Sequence, residues 1–310
     1  MGHCLSPILV AEFFSGIGGM HAALKASGID FKIVASYEID EACCKVYDLN
    51  FGVGIVTRRN IEAIQSEELD EICASLWIMS PPCQPFTRQK EYGRREMRDR
   101  RILPFLNLTN NMTKMRNLPT FVLVENVPEF ATSDACHLLK RQLTNLNFVF
   151  KVNTLELPEV VPKMLSEYVD TADEVFAESC FIPDSRLLQY IYCTEVVDAG
   201  STFSCCFTKN YGRYIKGTGP VLRCNSEVQM ADVLERMERC QTDKEKIDVV
   251  KEIRIRLFHP EEIKRLLGYP ESFRFPEEFT LRKRYQMLGN SVNVVVVSNL
   301  LRRLILSDVL

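Results

Sequence analysis

The sequence predicts an α/β fold, a parallel sheet covered by helices on both faces, together with a second, smaller domain. Two observations carry this. In the first half of the chain, short apolar runs alternate with stretches of helical periodicity, which is the pattern of a parallel sheet. From about Glu159 to Phe279 the alternation gives way to charged helical stretches and irregular pieces. With 310 residues, 46% of them apolar, the chain is long enough for one large core or for a core domain plus a satellite.

Taken in order, Ile8 to Phe14 is a short apolar strand that runs into Ser15-Gly16-Ile17-Gly18-Gly19, after which Met20, Ala23 and Leu24 recur at helical spacing. Phe31 to Tyr37 reads as a strand and Asp40 to Leu49 as a helix. Leu76 to Met79 is a strand that stops at Pro81-Pro82, because two prolines cannot donate ladder hydrogen bonds. Phe121 to Val124 is a buried strand ending at Glu125-Asn126-Val127-Pro128, and Phe148 to Val152 reads as a further one. Met230 to Leu257 is charged and helical, Cys205 to Val221 is irregular, and Leu281 to Leu304 returns to apolar texture. The expected division is therefore 1–158 continued by 281–310, with 159–280 as the second domain.

A net charge of −3 gives no global field to draw the chain onto nucleic acid, so any such binding must come from local basic surface. Twelve cysteines lack C-x-x-C spacing and the four histidines form no paired ligand motif, which points to free thiols and no metal. Met1 to Val10 lacks the charged start and long apolar run of a signal peptide, and no apolar stretch approaches the roughly 20 residues of a membrane span. A cytoplasmic or nuclear monomer is expected.

Three motifs fall beyond the carboxyl ends of strands, where open α/β sheets gather ligands. The glycine cluster at 16–19 lets backbone and helix N-terminal N–H groups approach a ligand closely. Glu38, an acid at the end of the next strand, stands where a nucleoside cofactor's ribose is held, or else caps a helix. In Ser80-Pro81-Pro82-Cys83-Gln84-Pro85-Phe86-Thr87, prolines on both sides stiffen the backbone around Cys83, which suits a nucleophile that must be aimed. Glu125-Asn126-Val127 supplies a carboxyl group from a neighbouring strand end. A thiolate beside an acid suits addition of sulfur to an electron-poor ring while the acid protonates it.

Phe13 to Gly19, Ser80 to Phe86, Glu125-Asn126-Val127 and Leu288-Gly289-Asn290-Ser291-Val292 resemble, in their proper order, the motifs of the cytosine-C5 methyltransferases. Cys206-Phe207-Thr208-Lys209, Tyr211-Gly212 and Gly217-Thr218-Gly219 are similar to the branch termed DNA methyltransferase type 2, which methylates cytosine 38 in the anticodon loop of tRNA-Asp. The resemblance implies a Rossmann-like S-adenosylmethionine methyltransferase sheet with a smaller target-recognition domain. It implies that Cys83 attacks C6 of the base and that Glu125 holds and protonates N3. Phe14, Ser15, Gly16, Gly18, Gly19, Glu38, Asn60, Ile61, Ser80, Asn290 and Ser291 match positions lining the cofactor pocket.

The target base must leave its stack to reach Cys83, which costs less in a loop than in a duplex. Between Arg88 and Arg101 seven basic residues stand against three acidic ones, either a solvated face or phosphate contacts. Arg88, Arg94, Arg95 and Arg98 are the candidates there, with Lys209, Arg213 and Lys216 as a second cluster beside Tyr211 and Tyr214, aromatics that either pack or stack on bases. Members of the family carry a further strand with a Pro-Asn-Ser-Arg-x-Arg-Tyr pattern. None follows Val152; Pro183-Asp184-Ser185-Arg186-Leu187-Leu188 is a partial echo whose position suits a second-domain strand. This leaves two other readings, an impaired relative or isoform that binds cofactor or RNA, and a DNA methyltransferase.

Overall fold

The computed structural model describes residues 6–86, 97, 99–152, 162–170 and 177–306. Strand β1 (Ile8–Phe13) is followed by α1 (Gly19–Ser27), β2 (Phe31–Glu38), α2 (Glu41–Phe51), β3 (Thr57–Arg58), α3 (Ser66–Ile72) and β4 (Leu76–Met79). Helix α4 (Leu103–Met112), β5 (Phe121–Val124) and α5 (Asp134–Asn145) complete the series. The strands form one five-stranded parallel sheet in the order β3-β2-β1-β4-β5. The order reverses between β1 and β4, and the crevice beyond their carboxyl ends is the ligand position of such sheets.

Apolar runs become buried strands because both faces are covered: Val10, Ala11, Phe13 and all four residues of β4 are inaccessible or nearly so. Phe13 packs against Trp77 at 4.9 Å and against Tyr37 at 5.7 Å, centroid to centroid, so neighbouring strands interlock through aromatic rings. The helices begin and end on local chemistry. Asp40 caps α2 by accepting from Ala42 N–H at 2.8 Å, Ser133 caps α5 by accepting from Cys136 N–H at 3.1 Å, and Gly28 closes α1 at φ 72°.

By contacts the chain forms two units, Met1–Pro158 with Ser272–Pro276 and Val292–Leu310, and Glu159–Glu271 with Glu277–Ser291. The second contains α6 (Ala177–Cys180), α7 (Asp184–Cys193), β6 (Val196–Val197), β7 (Val221–Arg223), α8 (Met230–Arg239), α9 (Asp243–Lys251), β8 (Ile255–Arg256), α10 (Pro260–Leu266) and α11 (Leu281–Leu288). Its three strands make a small sheet, β6-β7-β8. A buried Arg256–Glu262 pair at 2.7 and 2.8 Å joins β8 to α10, and Tyr285 of α11 donates to the Phe258 carbonyl at 2.7 Å. The last helix, α12 (Val294–Leu306), belongs to the first unit, where Arg302 Nε donates to the carbonyl of Ser27 at the end of α1 at 2.7 Å.

Three expectations differ from what is observed. Phe148–Val152 forms no strand: Val149, Phe150 and Val152 are 81%, 44% and 47% exposed, and β5, half-buried throughout, is the edge strand on that side of the sheet among the described residues. Residues 184–188 lie in helix α7, with Pro183 at its N-cap, and not in a strand; the Arg186 guanidinium is 5.4 Å from the Tyr190 ring four residues on, a helical spacing. Leu281 to Ser291 belongs by contacts to the second unit, since α11 hydrogen-bonds into it. Among the described residues no helix is long and apolar enough to cross a membrane, and no group of three or more His, Cys, Asp or Glu is placed to hold a metal.

Phe105 of α4 is fully buried against the sheet core. Phe105→Ala is expected to lower unfolding free energy by about 3–5 kcal/mol, read by chemical denaturation.

Candidate active site

The strand ends of the first unit carry the chemistry. After β1 the chain turns through Phe14 at φ 57°, Gly16 at φ 53° and Gly18 at φ 86° before α1 starts. Gly18 has no alternative, because a Cβ there would stand 2.2 Å from the Phe51 ring. At Gly16 a Cβ would meet nothing within 4 Å, so the backbone faces open space. Glu38 is locked at the end of β2. Its Oε2 accepts from Gly16 N–H at 2.7 Å, and its Oε1 from Ile39 and Asp40 N–H at 2.8 Å each. The carboxylate therefore joins the glycine turn to the start of α2, with Ile39 61% exposed beside it. A positioned acid, an open glycine turn and a helix N-terminus together fit a nucleoside cofactor.

The other candidate cofactor positions have mixed placements. Ser15 is buried, its hydroxyl engaged with Ser36 at 2.7 Å and the Tyr37 carbonyl at 3.1 Å, and its backbone N–H and carbonyl are bonded to Tyr37 and Gly18, so it shapes the turn from within. Gly19 opens α1 and is buried, while Phe14 is half-buried. Asn60 is exposed and accepts from Glu62 N–H at 3.1 Å, with Ile61 buried behind it. Ser80 Oγ reaches the Phe14 carbonyl at 3.4 Å, bringing the end of β4 to the glycine turn. Asn290 and Ser291 fall in the second unit, where Gly289 lies so close to Thr208 that a Cβ would meet its carbonyl carbon at 2.2 Å.

Cys83 and Glu125 follow adjacent strands. Pro81-Pro82 end β4, and a turn from Cys83 to Phe86, closed by Phe86 N–H to the Cys83 carbonyl at 2.9 Å, leaves Cys83 half-buried. Phe86 anchors this turn by packing on Phe130 at 5.0 Å. Glu125 continues the pairing of β5 with β4, donating its N–H to the Met79 carbonyl at 3.0 Å. Next to it Asn126 Nδ2 donates to the Pro81 carbonyl at 2.9 Å and Asn126 Oδ1 accepts from Val127 N–H. Asn126 is thus the tie between the nucleophile's loop and the acid's loop, a role that reading the motif as a unit did not isolate. Burial pushes the Glu125 carboxyl above the usual carboxylate range, so it holds its proton more readily than an exposed acid.

The family profile of the C-5 cytosine-specific DNA methylases matches residues 8–158 and 147–306. The chain belongs to that family. It is 29% identical to the tRNA (cytosine(38)-C(5))-methyltransferase of Bos taurus over 96% of this chain and 99% of that one, and 28% identical to the human protein over the same shares. A DNA (cytosine-5)-methyltransferase of Dictyostelium discoideum is 29% identical over 96% of this chain and 95% of its own. Among solved structures, DNMT2 of Spodoptera frugiperda superimposes with a TM-score of 0.82 at 28% identity, covering 96% of this chain and 99% of that one. The chain has the methyltransferase fold, and its family is a family of enzymes.

Of the basic candidates, Arg88, Arg94, Arg95 and Arg98 lie outside the described residues. In the second unit Lys209 is half-buried and Arg213 is exposed, its guanidinium 4.9 Å from the ring of Tyr214, itself 51% exposed. Tyr211 is a packing residue, 2% exposed, donating to the Pro220 carbonyl at 2.7 Å.

Glu38→Ala removes the acceptor of three backbone N–H groups and is expected to weaken S-adenosylhomocysteine binding by tenfold or more, about 1.5–3 kcal/mol, by isothermal titration. The raised Glu125 carboxyl favours folding below the ordinary carboxylate range, and that contribution is lost as pH rises through its shifted value. The thermal midpoint of the wild type should therefore fall over that interval relative to Glu125→Gln, whose amide does not titrate.

Proposed function

We propose that this chain transfers a methyl group from S-adenosylmethionine to C5 of cytosine in tRNA, with cytosine 38 in the anticodon loop of tRNA-Asp as the target. The observation that carries the reading is the Asn126 bridge, which holds Cys83 and Glu125 at the ends of neighbouring strands. S-adenosylmethionine supplies an electrophilic methyl group when bound, and the glycine turn with Glu38 would hold its nucleoside portion. Cys83 adds through sulfur to C6 of the flipped base while Glu125, with its raised proton affinity, protonates N3. C5 becomes nucleophilic and would take the methyl group, with S-adenosylhomocysteine left behind; loss of the C5 proton to solvent then expels the Cys83 sulfur as thiolate, and N3 returns its proton to Glu125. The substrate assignment draws on the relatives named for cytosine 38 and on Cys206-Phe207-Thr208, with Arg213 and Tyr214 offering charge and a stacking face. Action in cytoplasm and nucleus is part of the same proposal.

A second reading is that turnover is impaired. The two family matches overlap at 147–158, where the arginine pattern is lacking, and the alignment with the bovine relative spans 392 positions against 310 residues here, so the relative carries segments without a counterpart. Residues 153–161 themselves lie outside the described ones.

Incubation with labelled S-adenosylmethionine and either tRNA-Asp or duplex DNA decides between these. Label is expected in tRNA and absent with Cys83→Ala; label in DNA alone would overturn the RNA assignment, and label in neither would establish impairment. Arg213→Ala should weaken tRNA binding and lower the slope of log affinity against log salt by about one, as expected for a single lost phosphate contact.

A further inference from the structure

Glu12 is a charged residue type in the middle of the sheet, penultimate in β1, and no atom of it is exposed. Its Oε2 contacts the Tyr47 hydroxyl of α2 at 2.7 Å and the Ser36 hydroxyl of β2 at 3.3 Å. Tyr47 also meets His21 Nδ1 of α1 at 2.8 Å, and Ser36 meets Ser15 Oγ, in the glycine turn, at 2.7 Å. Ser15 reaches on to the Tyr37 carbonyl at 3.1 Å. A continuous hydrogen-bonded chain, His21–Tyr47–Glu12–Ser36–Ser15, thus runs beneath the turn, while Glu12 Oε1 has no partner among the described residues.

We propose that Glu12 is a positioning residue for the methyl donor, setting the cofactor turn through the hydroxyls of Ser36 and Ser15 according to whether it carries a proton. This rests on the cofactor reading of that turn. Each serine has one hydroxyl hydrogen to give. When Glu12 holds its proton, shared toward Tyr47, Ser36 is free to donate to Ser15 and the Ser15 hydroxyl donates to the Tyr37 carbonyl, a second bond to β2 beside that of the Ser15 backbone N–H. When Glu12 is ionised, Ser36 turns its hydrogen to the carboxylate. Ser15 then donates to Ser36, so that the turn is held to the Tyr37 carbonyl by the Ser15 backbone N–H alone, at 3.1 Å, one residue before Gly16 binds Glu38.

The proton is lost in an accessible range. Burial pushes the Glu12 carboxyl up to about 7, with Glu38 adding to the rise and Tyr47, Ser36 and the His21 backbone N–H opposing it. His21, pushed down to about 4 by burial and by Lys25, stays neutral across that range, and Tyr47 is held far above it. Because the carboxyl is raised, the protonated arrangement prevails in the fold at pH below about 7 and is lost as pH rises past that value.

The test is isothermal titration of S-adenosylhomocysteine into the full-length chain between about pH 6 and about pH 8.5, with thermal midpoints recorded alongside. Wild-type affinity is expected to fall by on the order of threefold to tenfold across that range, while Glu12→Gln, a neutral amide of the same shape, gives a pH-independent affinity. Tyr47→Phe, which removes the hydroxyl that shares the proton, should move the midpoint of the wild-type profile. Parallel profiles for wild type and Glu12→Gln would overturn the proposal and leave the cofactor reading standing. A folded wild type that binds at no pH would overturn both. Should Glu12→Gln not fold, an unshifted profile in Tyr47→Phe would also overturn the proposal.

Discussion

The register of β4 with its two neighbours governs the catalytic unit. Met79 pairs with Phe13 of β1 on one side and with Val124 of β5 on the other, so all three strands stop at one level. The glycine turn, the Cys83 loop and the Glu125 loop therefore leave the sheet side by side. Parallel pairing makes this placement robust, because the hydrogen bonds of three strands would have to slip together for one loop to move. A one-residue slip would also turn Trp77, now in the core, toward the opposite face.

On that frame, polar contacts of short reach do the aiming. Asn126 spans from one loop to the next, Ser80 reaches the Phe14 carbonyl, and Glu38 gathers the N–H groups that the turn and α2 would otherwise leave unpaired. Most buried polar groups are held where such partners exist. The second unit works by the same rule, with Glu262 fully buried yet satisfied by Arg256 and by the N–H of Asp170 and His259.

Much of this was legible from the order of residues. The bounds of β4 and β5 follow from apolar runs ended by Pro81 and by Glu125, and the glycine turn follows from spacing alone. The failures have physical causes. Phe148–Val152 has a strand's composition, but composition does not reveal whether a neighbour exists to pair with it, and here its side chains stay exposed. Residues 183–188 resemble part of a strand motif, yet the four-residue spacing of Arg186 and Tyr190 is a helical period. Glu12 is a signal in itself, an acid within the apolar run from Ile8 to Phe13, where only a hydrogen-bonded network can hold it.

The absence of a side chain at Gly289 has a consequence beyond its own turn. With the Thr208 carbonyl carbon 2.2 Å from where a Cβ would lie, the backbones of two motifs far apart in sequence share a single van der Waals surface. Neither segment has an independent history of substitution available to it. A bulkier residue in one demands a retreat of main chain in the other, and main chain pinned by the Thr208 N–H to Thr218 carbonyl bond at 2.9 Å has nowhere to retreat. The two stretches must vary jointly or stay fixed, as a hinge leaf and its pin would.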